Sequence, residues 1–291
     1  MLAGLLTTIA PVFICAALGY GWTRSGRPFD TDMITGLVLA FGVPCLVAST
    51  LADVEIAPGA LGMLGLAGVV MMIASGLIGW AVLWSLRWSV RAYLPALTFT
   101  NVGNMGLPLS LFAFGQDGLA LAVVLFAVVT VGTFSGGTAI ASGRASFREL
   151  SRLPALYGIA VGLFFMLTGI EPPAWLANTA RTLGGMVVPI MLITLGVSLA
   201  RLKVVGFGRA SVLSALRLGM GFGIGVAVAE ALGLEGTARG VLILQSSMPT
   251  AVYNYLIAVR WGLHANEVAG MVLISTLMSF ALLPALMWYI M

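Results

Sequence analysis

Charge is what this sequence lacks most. Of its 291 residues only 8% are charged and 60% are hydrophobic, whereas an ordinary soluble domain carries about 25% charged residues. Twenty-four charged side chains cannot cover the surface of a soluble fold of this size. A mean hydropathy of +1.09 points the same way. The composition is that of an integral membrane protein. Histidine and lysine occur once each, and no H-E-x-x-H, G-x-S-x-G or P-loop motif is present, so no enzyme is expected. Cys15 and Cys45 are the two cysteines, both in apolar runs without metal-ligand spacing. They read as small packing residues, and neither a metal nor another cofactor is expected. No cation precedes Arg24 in the first apolar run, so a cleaved signal peptide is not expected. The net charge of +4 is scattered over short loops, which gives no basis for nucleic-acid binding.

What the sequence has in abundance is apolar runs. A membrane-crossing helix takes roughly 20 apolar residues. Ten candidates follow: 3–22, 33–51, 59–85, 93–114, 118–141, 153–170, 184–200, 209–233, 239–258 and 267–290. Ten helices use about 200 residues and leave no room for a soluble domain. The runs are continuously apolar and do not alternate, which excludes a β-barrel. The fold class expected is therefore all-α integral membrane, in the lipid bilayer of the cell's inner (plasma) membrane. Counting Lys and Arg by loop puts eleven on one side and two, Arg181 and Arg239, on the other, with Arg217 inside a run. By the positive-inside rule the loops holding Arg24, Arg87, Arg144, Arg148, Arg152, Arg201, Lys203 and Arg260 are cytoplasmic, and both termini face outward. Trp22, Trp80, Trp84, Trp88 and Trp261 sit at run ends, as an interfacial aromatic belt does.

Internal symmetry is the next feature. Val43-Pro44 in the second run and Val188-Pro189 in the seventh lie 145 residues apart, and Gly115–Phe134 resembles Gly262–Phe280 at a starting offset of 147. Two halves of five spans are expected, 1–141 and 153–291, with a cytoplasmic linker at 142–152. Five is odd, so the second half enters the membrane inverted, a common construction in secondary transporters.

Two runs carry polar residues at mid-membrane depth. The fourth contains Asn101, Asn104, Gly103, Gly106 and Pro108; the ninth contains Gln245, Ser247, Pro249 and Asn254. Proline lacks an N–H and clashes with the carbonyl four residues earlier, so unbroken helices are not expected here. The freed backbone groups must face protein or a hydrated cavity. Half-helix N-termini near the midplane suit an anionic group, and amides can bind a carboxylate without fixed charge. Asn101, Asn104, Gln245, Ser247 and Asn254 are the candidate substrate-binding residues; Pro44, Pro108, Pro189 and Pro249 are the candidate helix breaks. Arg217 lies eight residues beyond Arg209. It is expected to snorkel to the cytoplasmic interface; the alternative is that it faces the cavity and attracts anions. Asp53, Glu55, Asp117 and Glu171 fall at outer span ends and His264 in a cytoplasmic connection, all expected to be solvated. The glycines of Gly219–Gly225 read as helix packing.

The stretch NVGNMGLPLSLFAFG, Asn101–Gly115, resembles the auxin efflux carrier family, as do MPTAVYNYLIA, Met248–Ala258, and PIMLITLGVSLA, Pro189–Ala200. That family includes plant PIN carriers and bacterial carriers assigned to malonate, malate and other carboxylates. The resemblance implies ten helices in two inverted five-helix repeats, with spans 4 and 9 crossing at their breaks over a substrate pocket. It also implies a homodimer, a scaffold from spans 1, 2, 6 and 7, and a mobile transport domain. By motif match Asn101 contacts the substrate carboxylate, Pro108 starts the second half of span 4, and Pro249 marks the span 9 break. The chain lacks the long loop of plant carriers between spans 5 and 6, and Asn104 stands where those carriers have an apolar residue. Both departures argue against auxin as the substrate.

The function expected is secondary transport of small organic anions by alternating access, with H+ or Na+ as candidate coupling ions. Two rivals stand beside it. One is a sodium-coupled symporter of the bile-acid type, in which Asn, Gln and Thr oxygens hold Na+. The other is a channel or membrane receptor.

Overall fold

The computed structural model describes residues 2–53, 56, 58–144, 153–202 and 207–291. Most of the expected 142–152 linker lies outside them, as do Glu55, Arg148, Arg152 and Lys203. The described residues are all-helical, with no strand beyond a single bridged residue pair.

The first helix, α1 (Leu2–Arg24), ends at the first basic loop. Next come α2 (Thr31–Leu37), a π-helical turn (Val38–Gly42) and α3 (Val43–Asp53) in one interrupted span. Asp30 starts it by accepting a hydrogen bond from the Met33 N–H at 2.9 Å, satisfying one orphan donor of the first turn. A long helix, α4 (Pro58–Ser85), follows, then α5 (Val90–Thr98). A second π turn (Val102–Gly106) leads into α6 (Leu107–Gly132), and a third (Thr133–Gly137) into α7 (Thr138–Ser142). Beyond the linker lie α8 (Pro154–Thr168), α9 (Ala174–Gly185), α10 (Val187–Arg201), α11 (Phe207–Ala231), α12 (Gly236–Ser246), α13 (Val252–Arg260) and α14 (Ala265–Ile290).

Among the described residues six stretches are long and apolar enough to cross a membrane: Thr31–Asp53, Gly59–Ser85, Val102–Ser142, Ala174–Arg201, Phe207–Ala231 and Ala265–Ile290. The chain is thus a multi-pass membrane protein. Val102–Ser142 is 41 residues long, but Gly115 sits at φ 68° and ψ −154° inside it. That backbone region is open to glycine alone at little cost, and it separates the fourth and fifth apolar runs where a boundary is expected.

Prolines explain two of the π turns. Pro44 and Pro108 each stand two residues after one, and the turns close with i→i+5 bonds, Val43 N–H to Val38 O and Leu107 N–H to Val102 O. The widened turn accommodates a ring that would otherwise strike the carbonyl four residues back. Pro189 is the third residue of α10, after the break at Met186. There its missing N–H has no helical partner to lose.

One boundary differs plainly from expectation. The helical stretch that holds the seventh apolar run begins at Ala174 and not near 184, because α9 continues through a polar stretch. Thr179 and Thr182 bond back to the carbonyls of Trp175 and Asn178 at 2.8 Å each, so their hydroxyls do not interrupt the helix. An apolar-run reading detects only the buried part.

Close backbone approach organises the packing. α1 lies against α10, where a Cβ on Gly19 or Gly196 would overlap the carbonyl oxygen of Ile193 or Ala16. α8 lies against α3, where Gly158 faces the Pro44 backbone. Such contacts stabilise helix pairs in lipid by dispersion. α11 packs against α12 and α14, and α4 against α5 and α6.

Candidate functional site

The two polar breaks meet. α5 stops at Thr98, and Phe99 takes extended angles of φ −98° and ψ 109°. α12 stops at Ser246, and Ala251 is extended at φ −66° and ψ 140° before α13 begins. These extended stretches pair antiparallel at Thr100 and Thr250. Asn101 N–H donates to Pro249 O at 2.8 Å, and Ala251 N–H donates to Phe99 O at 3.3 Å. Each break therefore satisfies backbone groups that the other sets free, as an apolar interior requires.

Side chains from four helices brace the pair. Asn254 Nδ2 donates to Phe99 O at 2.9 Å, and Thr250 Oγ1 donates to Ala96 O at 3.0 Å. Thr250 N–H donates to Ser275 Oγ at 3.1 Å. Gln245 Nε2 donates to Ser110 Oγ at 3.2 Å. Its carboxamide fills the space that a Cβ on Gly106 would take. Ser247 Oγ donates to Ile243 O at 2.7 Å, back into its own helix. Asn104 is half-buried on the π turn.

Several buried polar atoms here have no hydrogen-bond partner: Asn101 Nδ2, Asn254 Oδ1, Gln245 Oε1, Thr98 Oγ1, Thr100 Oγ1 and Arg217 Nε. A buried group left unsatisfied costs about 1–3 kcal/mol. Among the described residues all six such atoms belong to the two breaks or to the arginine beside them. This concentration of unused hydrogen-bonding capacity singles out the locus.

Arg217 departs from expectation. It does not snorkel: the residue is 1% exposed and points inward from α11. Nη1 donates to Leu97 O at 3.0 Å and Nη2 to Ser246 O. These carbonyls belong to the last turns of α5 and α12, which lack helical N–H partners. The side chain meets no carboxylate among the described residues. Gly221 and Gly225, one and two turns on, give it room, since a Cβ on either would overlap Ser246.

Of the candidate residues, Asn101, Gln245, Ser247, Asn254 and Pro249 gather at the paired breaks. Pro108 lies in the first turn of α6, past the π turn, while the span 4 break falls at residues 99–101. Pro44 and Pro189 lie in α3 and α10, which are separate elements. Sequence reasoning missed Thr98, Thr100, Ser110, Thr250 and Ser275. Thr100 and Thr250 were findable, because each sits within a polar break next to the asparagine or proline that marks it.

Two cavities lie elsewhere. One of about 450 Å³ opens between α3, α6 and α9 and is lined by Thr50, Asp53, Gln116, Asp117 and Arg181 among others. Another of about 240 Å³, between α3, α8 and α9, is almost wholly apolar. None of the five candidate substrate-binding residues lines either. Asp53 and Arg181, both at the rim, form a two-pronged ion pair with 2.9 Å contacts. Among the described residues no group of His, Cys, Asp and Glu could hold a metal ion.

Residues 138–289 match the model of the membrane transport protein family. The chain is 27% identical over 299 residues to an uncharacterized transporter of Methanothermobacter thermautotrophicus, covering 97% of each protein. It is 26% identical over 200 residues to an uncharacterized transporter of Methanocaldococcus jannaschii, covering 65% of this chain and 64% of the relative. The chain belongs to the membrane transport protein family, the auxin efflux carriers anticipated from its motifs.

Proposed function

We propose that this family member is a secondary transporter of small organic anions, carboxylates above all, working by alternating access. Substrate binds where the α5–α6 and α12–α13 segments cross. The observation that carries this reading is the pairing of two breaks around buried amides with unfilled hydrogen-bonding capacity. Asn101 Nδ2 is free to donate to a carboxylate. The segments starting at Val102 and Val252 bring N-terminal ends, with their partial positive charge, to the same place.

The architecture proposed around this site is ten spans in two inverted five-helix repeats. Its support is the recurrence of one layout. An interrupted second span carries Pro44 in one half and Pro189 in the other, and the fourth span breaks in both. Helix pairing recurs too: α1 packs on α10 and α8 on α3, first span on second span across the halves. On this reading α1, α2–α3, α8 and α9–α10 form the scaffold and the site of homodimer contact. The remaining helices carry the crossing, in the plasma membrane with both termini outside.

Counterflow in proteoliposomes with a carboxylate panel tests the proposal. Saturable exchange of at least one carboxylate, without conductance, is expected. No accelerated exchange would remove the transport reading, and unsaturable conductive flux would make the protein a channel. A second reading has its own observation. Four buried oxygens, on Thr98, Thr100, Gln245 and Asn254, lack partners, and such oxygens can hold Na+ beside broken helices. Uptake that needs a Na+ gradient would favour the sodium-coupled symporter.

A further inference from the structure

We infer that Arg217 sets the charge of the crossing: by neutralising the C-terminal ends of α5 and α12, it leaves the N-terminal ends at Val102 and Val252 unopposed. The site then takes an anion although none of the side chains named at the crossing is charged. This rests on the carboxylate reading above and says what makes that site anionic in preference.

The argument is one of charge accounting. Four helical segments end at the breaks: α5 and α12 arrive by their C-termini, and the segments starting at Val102 and Val252 leave by their N-termini. Each end carries roughly half an elementary charge, negative at a C-terminus and positive at an N-terminus. Two of each cancel. Such a crossing alone has no preference for an anion. Arg217 donates to one carbonyl from each C-terminal end, Leu97 O and Ser246 O. Its unit positive charge therefore offsets the two negative ends and leaves about one positive charge facing the amides.

Other features fit this role and do not fit an ordinary helix contact. Among the described residues no acidic side chain pairs with the arginine, so backbone dipoles are its counter-charge. Two separate nitrogens of the guanidinium fork meet two carbonyls on separate helices. Gly221 and Gly225 bring α11 close enough for the fork to reach. Arg217 is thus a positioning residue for charge, acting through the helix ends.

The test compares wild type, Arg217→Lys and Arg217→Gln for binding of acetate, malonate and succinate against acetamide, malonamide and succinamide, by calorimetry. Wild type and Arg217→Lys should prefer the carboxylates. Arg217→Gln keeps a donor without the charge and should lose carboxylate affinity roughly tenfold, the order of effect that one unit charge has through protein at an effective dielectric near 20, with amide affinity unmoved. Equal losses for both ligand classes, or none, would overturn the inference. A second measurement needs no ligand. Asn101→Asp places a tethered carboxylate at the break, and the change in its melting temperature from pH 5 to pH 8, relative to wild type, is compared with that of Asn101→Asp/Arg217→Gln. The double variant should lose more stability as the pH rises, because its carboxylate ionises without the arginine's charge nearby; equal profiles overturn the inference. If wild type binds none of the carboxylates, the proposed function fails, and the Asn101→Asp profile still decides the charge of the crossing.

Discussion

Truncating Asn101 separates a binding role from a structural one, because its amide and that of Asn254 are wired differently. Asn101 Nδ2 has no partner, and its backbone N–H, which does bond Pro249 O at 2.8 Å, survives in Asn101→Ala. No protein hydrogen bond is lost, so the melting temperature should stay level or rise slightly, since removing an unsatisfied buried group is neutral or stabilising. Substrate binding should suffer. A hydrogen bond to a charged group contributes about 1.5–3 kcal/mol, which corresponds to roughly ten- to a hundredfold in affinity. Asn254 is the contrast. Its Nδ2 donates to Phe99 O at 2.9 Å, so Asn254→Ala forfeits about 1 kcal/mol of stability and should melt a few degrees lower. Its free Oδ1 cannot donate to a carboxylate, so the affinity loss should be smaller. The assay is counterflow for half-saturation and thermal melting for stability, on all three proteins at matched yield. Unchanged half-saturation in a stable Asn101→Ala would remove this amide from the substrate site. A sharp drop in its melting temperature would show that the amide holds the fold together.

Three further outcomes are expected. Gly106→Ala pushes a Cβ into the Gln245 carboxamide and should cost about 1–3 kcal/mol as overpacking; adding Gln245→Ala should recover most of the melting temperature, and failure to recover would displace Gln245 from that contact. Gly196→Ala collides with the Ala16 carbonyl, whereas a Cβ at Gly21 meets nothing; the first should cut folded yield in detergent and Gly21→Ala should not. For topology, in a background without Cys15 and Cys45, a cysteine replacing the exposed Ser25 should resist an impermeant thiol reagent in intact cells. One replacing the exposed Glu171 should react, and the reverse pattern would invert the protein.

The sequence is readable where a residue's chemistry is local. Apolar runs located the long helices, as α4 and α11 illustrate, and prolines with amides pointed to the two breaks. Long-range satisfaction was not readable. Arg217 looked like a snorkelling arginine because its distance from Arg209 along one helix says nothing of carbonyls offered by α5 and α12. Pro108 lies in the first turn of α6 after a π turn, while the extended residues lie upstream at 99–101, where no proline stands in the sequence. The start of α9 was hidden by threonines whose hydroxyls bond within the helix.

The backbone bridge between Thr100 and Thr250 bears on leakage. The two extended segments cannot part without stranding the Asn101 and Ala251 N–H groups and the carbonyls of Pro249 and Phe99 in an apolar interior. At about 1–3 kcal/mol for each unsatisfied group, separating the bridged segments while the interior stays dry costs several kcal/mol. Moving the bridged segments together against their neighbours leaves those bonds intact. On the alternating-access reading proposed above, a solute held there would be carried past a closed seam, and the membrane would stay tight to protons and ions while the solute changes sides.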